Sequence, residues 1–236
     1  MFRVVVAAVI ALGVSGVVTR AADEWAGADE VAIRELLQGS SGRREAWAGV
    51  PELVILSSVM DFTGDDMASG YVATGESLRA SDVAALELDL TSALASLTAG
   101  RLAAFSAVRV EPVAAGQHVR MFRRGQIVVG RFRGVQARSG TLGYGGRTTT
   151  GGDISSGAVI LDADFDARAA RRDLLRMHEL GHALGFNHVE SRRSVMNPRV
   201  GADLTDFDRA AIAHAFTDVS MASATPVIAR QARRQN

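Results

Sequence analysis

Two histidines four residues apart, with a third six residues further on, constrain this chain more than any other feature of its sequence. They are His178 and His182, in the segment HELGH, and His188 after it. In an α-helix of about 3.6 residues per turn, positions i and i+4 lie on one face, so both imidazoles can bind one metal ion. Gly185 can end the helix in a left-handed conformation, which lets the chain turn back and bring His188 to the same ion.

The three imidazoles predict a zinc site with an open coordination position. Three neutral nitrogen ligands suit zinc better than magnesium or calcium, and they leave one tetrahedral position for water or a substrate carbonyl. Glu179 lies beside the first ligand, where its carboxylate can accept a proton from a water molecule without binding the metal. Five fixed identities of this kind arise by chance on the order of 10⁻⁴ of the time in a chain of this length. We therefore expect one catalytic zinc ion, with Glu179 as general base.

A compact turn sequence, SVMNP at residues 194–198, follows the third histidine. Its methionine, Met196, comes eight residues after His188 and could lie beneath the metal. A methionine before a proline turn is more common in ordinary core packing, so the turn alone is a weak signal. Its distance from His188 is what gives it weight.

Composition favours one folded domain and excludes several chemistries. The chain has 236 residues, 47% of them apolar, which is enough to bury a substantial core. Its 26 basic residues balance its 26 acidic residues, so charge does not indicate nucleic acid or an anionic membrane surface as a partner. Because there is no cysteine, disulfides, thiolate ligands and thiol nucleophiles are excluded.

Both ends of the chain differ from its centre. An apolar stretch at residues 4–18 follows Arg3 and precedes small residues, which predicts a secretory signal peptide at 1–22 and an extracytoplasmic location. The stretch is shorter than the roughly 20 residues of a spanning helix, so we expect no stable membrane span once the signal is removed. Retention as an N-terminal anchor is the alternative. Residues 23–49 are predicted to be a linker or short pro-segment, and 218–236 a disordered basic tail.

Between these ends, residues 50–217 are predicted to form an α+β domain with a small mixed, twisted sheet, two main helices and a C-terminal helix. Short apolar and β-branched runs predict the strands, and an apolar stripe at helical spacing predicts the first helix. The second helix carries the histidines, and Thr205 is the expected N-cap of the third. The expected strands are 53–56, 105–110, 119–122, 127–132 and 158–161, and the expected helices are 82–99, 168–184 and 204–216.

Residues 134–157 are so rich in glycine that we expect mostly irregular structure there. Within this segment, Leu142, Gly143 and Tyr144 could form a short edge strand that pairs with the backbone of an extended peptide substrate. An ordinary loop without contact to a substrate is the alternative for these residues.

The segments HELGHALGFNH at 178–188 and SVMNP at 194–198 resemble the metzincin metallopeptidases, most closely the matrixin-like branch of peptidase M10 type. The order of the predicted elements over residues 50–217 also resembles a metzincin catalytic domain. The resemblance implies a secreted zinc-dependent endopeptidase that hydrolyses peptide bonds. Its implied partner is a protein or peptide substrate, and we expect a monomer.

Residue by residue, the resemblance implies the same roles that the spacing indicates. His178, His182 and His188 would bind zinc, Glu179 would be the general base, and Met196 would form the Met-turn beneath the metal. The chain also departs from the family: it has no cysteine for the thiol-based latency of animal matrixins.

Additional metal sites are less clearly indicated. Only His118 and His214 remain as histidines, so we do not expect the second, structural zinc of animal matrixins. Asp162 resembles a family position that binds calcium, and Asp164 and Asp166 are candidate helpers because hard oxygen donors suit that ion. The alternative is that these carboxylates cap the N-terminus of the following helix.

Two other functions are compatible with a zinc site. One is a catalytically silent, zinc-containing peptide-binding protein, although retention of Glu179 argues against it. The other is a structural zinc module whose fourth position is closed by a carboxylate such as Asp29 or Glu30. Removal of residues 23–48 would distinguish permanent closure from latency, because only latency predicts activity afterwards.

Overall fold

The computed structural model describes residues 29–39, 42, 44–63, 71–168, 170–199 and 203–217. The predicted signal peptide at 1–22 and the predicted tail at 218–236 lie outside these residues, so both stay predictions. Within the described ranges, no helix combines the length and the apolar character that crossing a membrane requires.

Helices and strands are mixed along the chain, and the nine strands of the described ranges form one sheet. The strands are β1 (Ala46–Trp47), β2 (Glu52–Leu56), β3 (Ser58–Asp61), β4 (Tyr71–Ser77), β5 (Val108–Glu111), β6 (His118–Val119), β7 (Gln126–Arg133), β8 (Gly143–Thr150) and β9 (Asp153–Asp162). The helices are α1 (29–37), α2 (Ala80–Leu97), α3 (Val135–Ser139), α4 (Ala163–Arg168), α5 (Arg172–Leu184) and α6 (Asp206–Thr217).

The centre of the sheet is parallel, and antiparallel pairs lie on both sides of it. β7 lies between β2 and β9 and runs parallel to both. β8 pairs antiparallel with β9 and with no other described strand, so it forms an edge of the sheet. On the other side, β3, β4 and β6 continue the sheet through antiparallel pairs.

The side chains of the central strands point alternately into two apolar clusters, so both faces of the sheet are buried. Leu53 and Ile55 of β2 face one apolar cluster, which includes buried residues of α1, α2, α5 and α6. Val54 and Leu56 face a second cluster, which includes residues of β3, β4 and α3. Successive side chains of a strand point to opposite faces, so one short run such as ELVIL can supply both clusters.

The predicted α+β architecture is confirmed, with a sheet that is larger than predicted. β3 and β4 were not expected, because they are short and are separated by residues with polar, turn-like composition. The expected strand at 105–110 begins at Val108, and the expected strand at 119–122 is only β6. Thr205 is confirmed as the N-cap of α6: its Oγ1 accepts the N–H of Asp208, whose carboxylate accepts the N–H of Thr205.

The helix expected at 168–184 forms as α5, but it begins at Arg172, because the separate short helix α4 precedes it. In one continuous helix, residues 166 and 176 would be about 15 Å apart along the axis. In the structure, Arg176 Nε donates to Asp166 Oδ1 over 2.7 Å, in a contact that is buried on both sides. The change of direction between α4 and α5 allows this ion pair to form.

The glycine-rich segment is more regular than predicted, because its glycines lie where regular elements begin, end and turn. Gly134 and Gly140 flank α3 in left-handed conformations. Gly151 and Gly152, with φ of +66° and +98°, form the two-residue turn between β8 and β9. A turn with two positive φ values matches the twist of a hairpin, and glycine adopts it without steric cost.

The segment before residue 49 contributes to the fold. Ala32, Leu36 and Leu37 of α1 are buried in the same cluster as the histidine-bearing helix. β1 then pairs parallel with the start of β9. The structure does not assign a maturation site in this segment, so the domain limits of the sequence analysis stay predictions.

Candidate metal centre and catalytic site

Helix α5 brings the three histidines together as their spacing predicts. The Nε2 atom of His178 lies 3.2 Å from that of His182 and 3.2 Å from that of His188, and the last two are 3.0 Å apart. Gly185 caps the helix with φ of +111°, which reverses the chain toward His188. Nitrogen ligands about 2.0–2.1 Å from a tetrahedral zinc ion are separated by about 3.3 Å, so the triad is close to the size that zinc requires.

Hydrogen bonds on the far side of two rings fix which nitrogen faces the triad. His178 Nδ1 lies 2.7 Å from the Val195 carbonyl, and His182 Nδ1 lies 2.9 Å from the Phe186 carbonyl. A carbonyl only accepts hydrogen bonds, so both Nδ1 atoms carry the proton and both Nε2 atoms present lone pairs. Two lone pairs that face each other need a cation between them, and these residues therefore fit a metal ion.

Burial keeps the three imidazoles neutral, which is the form that binds metals. Burial, together with the neighbouring His178, lowers the pKa of His182 to about 3. Burial also lowers the pKa of His178 and of His188 from the ordinary histidine value. Among the described residues, these three form the one group of histidine and carboxylate side chains that could hold a metal ion.

Glu179 is buried between α5 and β8, with 5% of its surface exposed. Burial raises the pKa of its carboxyl group to about 8, although a hydrogen bond from the backbone of Gly145 counteracts the increase. A Cβ atom on Gly143 would lie 2.9 Å from Glu179 Oε1, and one on Gly145 would lie 2.1 Å from the Glu179 carbonyl oxygen. The two glycines thus allow the backbone of β8 to pass directly over this carboxylate.

Met196 lies under the metal-binding helix. It is buried, and a Cβ atom on Gly181 would be only 2.5 Å from its Sδ atom, so the thioether packs against the turn that joins His178 and His182. Asp208 of α6 holds the turn from below: it accepts hydrogen bonds from Ser194 Oγ at 2.5 Å and from the Val195 amide at 3.1 Å. The sequence analysis did not identify Asp208, although its position three residues after Thr205 matches a capping box.

The contacts of Asp162 agree with the capping alternative for this residue. Its Oδ1 accepts the N–H groups of Asp164 and Phe165 at the start of α4, and its Oδ2 accepts the N–H of Gln136. Asp164 is exposed and pairs with Arg168 at 2.9 Å. Calcium binding by Asp162 and Asp164 stays a prediction.

The predicted edge strand forms as β8, which begins at Gly143, so Leu142 lies just before it. Leu142 accepts the N–H of Asp162 over 2.9 Å. Tyr144 points away from α5 and stacks on Phe62, with ring centroids 5.7 Å apart. The residues of β8 that face Glu179 are therefore the glycines, and β8 pairs with no described strand other than β9.

Arg147 and Glu45 complete the surroundings of the triad, and the sequence analysis missed both. Arg147 Nε donates to Glu45 Oε2 over 2.5 Å, and Arg147 Nη1 donates to the His182 carbonyl over 3.1 Å. The two side chains are 102 positions apart in the sequence. No local pattern could pair them, because the contact exists only after β8 has packed on α5.

The α+β fold, the reversal of the chain after α5 and the buried methionine beside three converging histidines are the features that the resemblance to the metzincins implied. Residues 133–217 match the family model of the matrixins, so the chain contains a matrixin-like metzincin catalytic domain, as the resemblance implied. The matched segment includes the three histidines, Glu179 and Met196. No curated protein matches the chain.

Proposed function

We propose that this chain is a secreted zinc endopeptidase in which Glu179 is the general base. The observation that carries the proposal is the placement of a buried carboxylate next to three converging imidazole nitrogens, under a strand that pairs with only one described strand. The matrixin match supports peptidase chemistry over a structural zinc module. Asp29 and Glu30, the carboxylates considered for closing the metal site, pair with Arg192 and Arg34.

The histidines and Glu179 have separate roles in the proposed hydrolysis. His178, His182 and His188 would hold the zinc ion, which as a Lewis acid polarises the scissile carbonyl and acidifies a water molecule. Glu179 accepts the proton of that water and later delivers it to the leaving nitrogen.

The free edge of β8 provides a way to bind the substrate. An extended peptide can add to an exposed strand through backbone hydrogen bonds, and β8 has no partner on that side among the described strands. Backbone recognition of this kind requires an unfolded or flexible segment, and it favours cleavage within a chain. Leu142, Gly143 and Tyr144 are the residues that we expect to contact such a peptide.

The location and assembly of the protein complete the proposal. The apolar stretch at 4–18 supports export, with an extracytoplasmic protein as the result. All metal ligands and the base come from one chain, so a monomer would contain a complete site.

The test is zinc-dependent cleavage of an unfolded, fluorescently labelled protein by the chain from residue 23. Glu179→Gln should lower the rate by about 10²- to 10⁴-fold, because a general base is lost while the shape of the side chain is kept. Zinc content should not change in this variant. Glu87→Gln, on the exposed face of α2, is the matched control and should keep the full rate.

Two results would contradict the proposal, and a third would identify a pro-segment. Equal rates for the unchanged chain and Glu179→Gln would exclude this residue as the base. Stoichiometric zinc with no cleavage by either protein would favour the silent peptide-binding protein. Activity that appears only after removal of residues 23–48 would show that this segment is inhibitory.

A further inference from the structure

Arg147 lies at the centre of a buried network beside the metal-binding triad. Its Nε donates to Glu45 Oε2 at 2.5 Å, its Nη2 donates to Asn187 Oδ1 at 2.9 Å, and its Nη1 donates to the carbonyls of His182 at 3.1 Å and Phe186 at 3.5 Å. The exposed fractions of the Arg147 and Glu45 side chains are 13% and 8%. The planar guanidinium thus joins the N-terminal segment to the turn between the second and third histidines.

One of these contacts connects Arg147 to the metal-binding residue His182, because both approach the same carbonyl oxygen. The Phe186 carbonyl accepts a hydrogen bond from His182 Nδ1 at 2.9 Å and also lies within reach of Arg147 Nη1. The direction of this carbonyl determines the tautomer and the ring orientation of His182. Arg147 does not touch the place where the metal would bind, but it holds the group that orients His182.

The N-terminal segment holds the same turn from the other side. The Leu36 carbonyl accepts the Asn187 amide N–H at 2.8 Å, and the Gln38 carbonyl accepts Asn187 Nδ2 at 2.5 Å. At Gly185, a Cβ atom would lie 2.5 Å from the Glu45 carbonyl oxygen. The backbone around Glu45 therefore packs directly on the turn that leads to His188.

We propose that Leu36, Gln38, Glu45 and Arg147 form a ligand clamp, in which Arg147 is a positioning residue for the metal. The clamp fixes the turn at 185–187 and thereby sets the orientation of His182 and the position of His188. It follows that Leu36, Gln38 and Glu45 belong to the metal-binding unit and are retained in the active protein, rather than removed with a pro-segment. The inference rests on the proposed function only in requiring that the triad binds zinc.

The clamp predicts a loss of zinc affinity that is separate from a loss of stability. In the full chain, Arg147→Met should weaken zinc binding by about 10- to 100-fold, the usual effect of removing a group that orients a metal ligand. Arg147→Lys keeps the charge but cannot form the planar set of hydrogen bonds, so its zinc affinity should lie between that of Arg147→Met and that of the unchanged chain. Arg133→Met is the matched control: Arg133 also lies on a strand and pairs with a glutamate, but it is exposed.

Zinc affinity is measured by competition with a chromogenic chelator, and the geometry of the site by the visible absorption of Co²⁺ added to the metal-free protein. We expect Arg147→Met to alter the Co²⁺ spectrum as well as the affinity, whereas Arg133→Met changes neither. If Arg147→Met does not fold, Asn187→Ala tests the same clamp from the side of the turn and should also weaken zinc binding.

Two outcomes would overturn the clamp. The first is a lower melting temperature of the metal-free Arg147→Met protein with zinc affinity within twofold of the unchanged chain, because that combination shows a role in folding alone. The second is a folded protein that binds zinc with the affinity of the unchanged chain although its mass shows that residues 36–47 have been removed. Neither outcome depends on turnover, so a chain with weakened zinc binding in the variants but no peptidase activity would refute the proposed function and leave the clamp intact.

Discussion

Replacing Asp166 with alanine should destabilise the fold strongly, because one carboxylate neutralises two buried guanidinium groups. Asp166 is fully buried, and its oxygens accept hydrogen bonds from Arg131 Nε at 2.6 Å and from Arg176 Nε and Nη2 at 2.7 and 2.8 Å. The exposed fractions of the Arg131 and Arg176 side chains are 3% and 0%. Removing one partner of a buried ion pair typically costs about 3–5 kcal/mol.

The contacts that remain place the expected loss at the lower end of that range. Arg176 Nη1 still donates to Asp89 Oδ2 at 2.5 Å, and Arg131 Nη1 still lies 3.6 Å from Asp82 Oδ2. We therefore expect Asp166→Ala to lower the free energy of unfolding by about 3 kcal/mol. For a domain of 150–250 residues, that corresponds to a melting temperature lower by about 6–12 °C.

The assay is urea unfolding followed by circular dichroism, with Asp164→Ala as the matched control. Asp164 is in the same helix and also pairs with an arginine, but it is exposed, so its removal should not change the unfolding midpoint measurably. A loss below about 1 kcal/mol for Asp166→Ala would refute the reasoning, because it would place this change among ordinary surface substitutions. Equal losses of unfolding free energy in Asp166→Ala and Asp164→Ala would also refute it.

Three further predictions concern the site and its surroundings. Gly145→Ala should lower the free energy of unfolding, measured in urea, by about 1–3 kcal/mol and should also reduce the hydrolysis rate. The reason is that a Cβ atom 2.1 Å from the Glu179 carbonyl oxygen must push β8 away from α5. Gly49→Ala is the control and should change neither quantity, because no atom lies within 4 Å of a Cβ atom at that position. Trp47→Phe should lower the free energy of unfolding by about 1 kcal/mol, since the Ala183 carbonyl loses the indole N–H that donates to it at 3.0 Å; a neutral result would mean that water replaces the donor. Removal of zinc by a chelator should lower the melting temperature, since a ligand at 1,000 times its Kd contributes about 4 kcal/mol; an unchanged melting temperature would contradict binding of zinc to the folded triad.

The parts of the site that could be predicted are those in which local geometry decides the outcome. The spacing of His178 and His182 determines their common face once the segment is helical, and a glycine at position 185 is a sufficient signal for the reversal that brings in His188. Thr205 with Asp208 is another local pattern, and it was recognised only in part. In each case the residues that make the contact are close in the sequence.

The parts that could not be predicted depend on contacts between distant segments. The residues of α1 have the periodicity of a short amphipathic helix, which is also compatible with a pro-segment, and only its burial against α5 and α6 shows that it belongs to the core. The glycines of β8 were predicted to lie mostly in irregular structure, because the intrinsic strand propensity of a residue does not take into account how closely a neighbouring helix approaches. A strand that must pass within contact distance of a helix backbone has no room for side chains on that face.

This close passage links the fold to the proposed chemistry. Gly143 and Gly145 bring β8 so near to α5 that the Glu179 carboxylate is covered and accepts a hydrogen bond from the strand backbone. The opposite edge of the same strand is free of any described partner. If a peptide adds to that edge, its backbone lies at a fixed distance from Glu179, because the strand that it joins also donates a backbone hydrogen bond to this carboxylate. Bulkier residues at 143 and 145 would therefore disturb the base and the substrate-binding edge together, and hydrolysis should fall more than zinc binding in such variants.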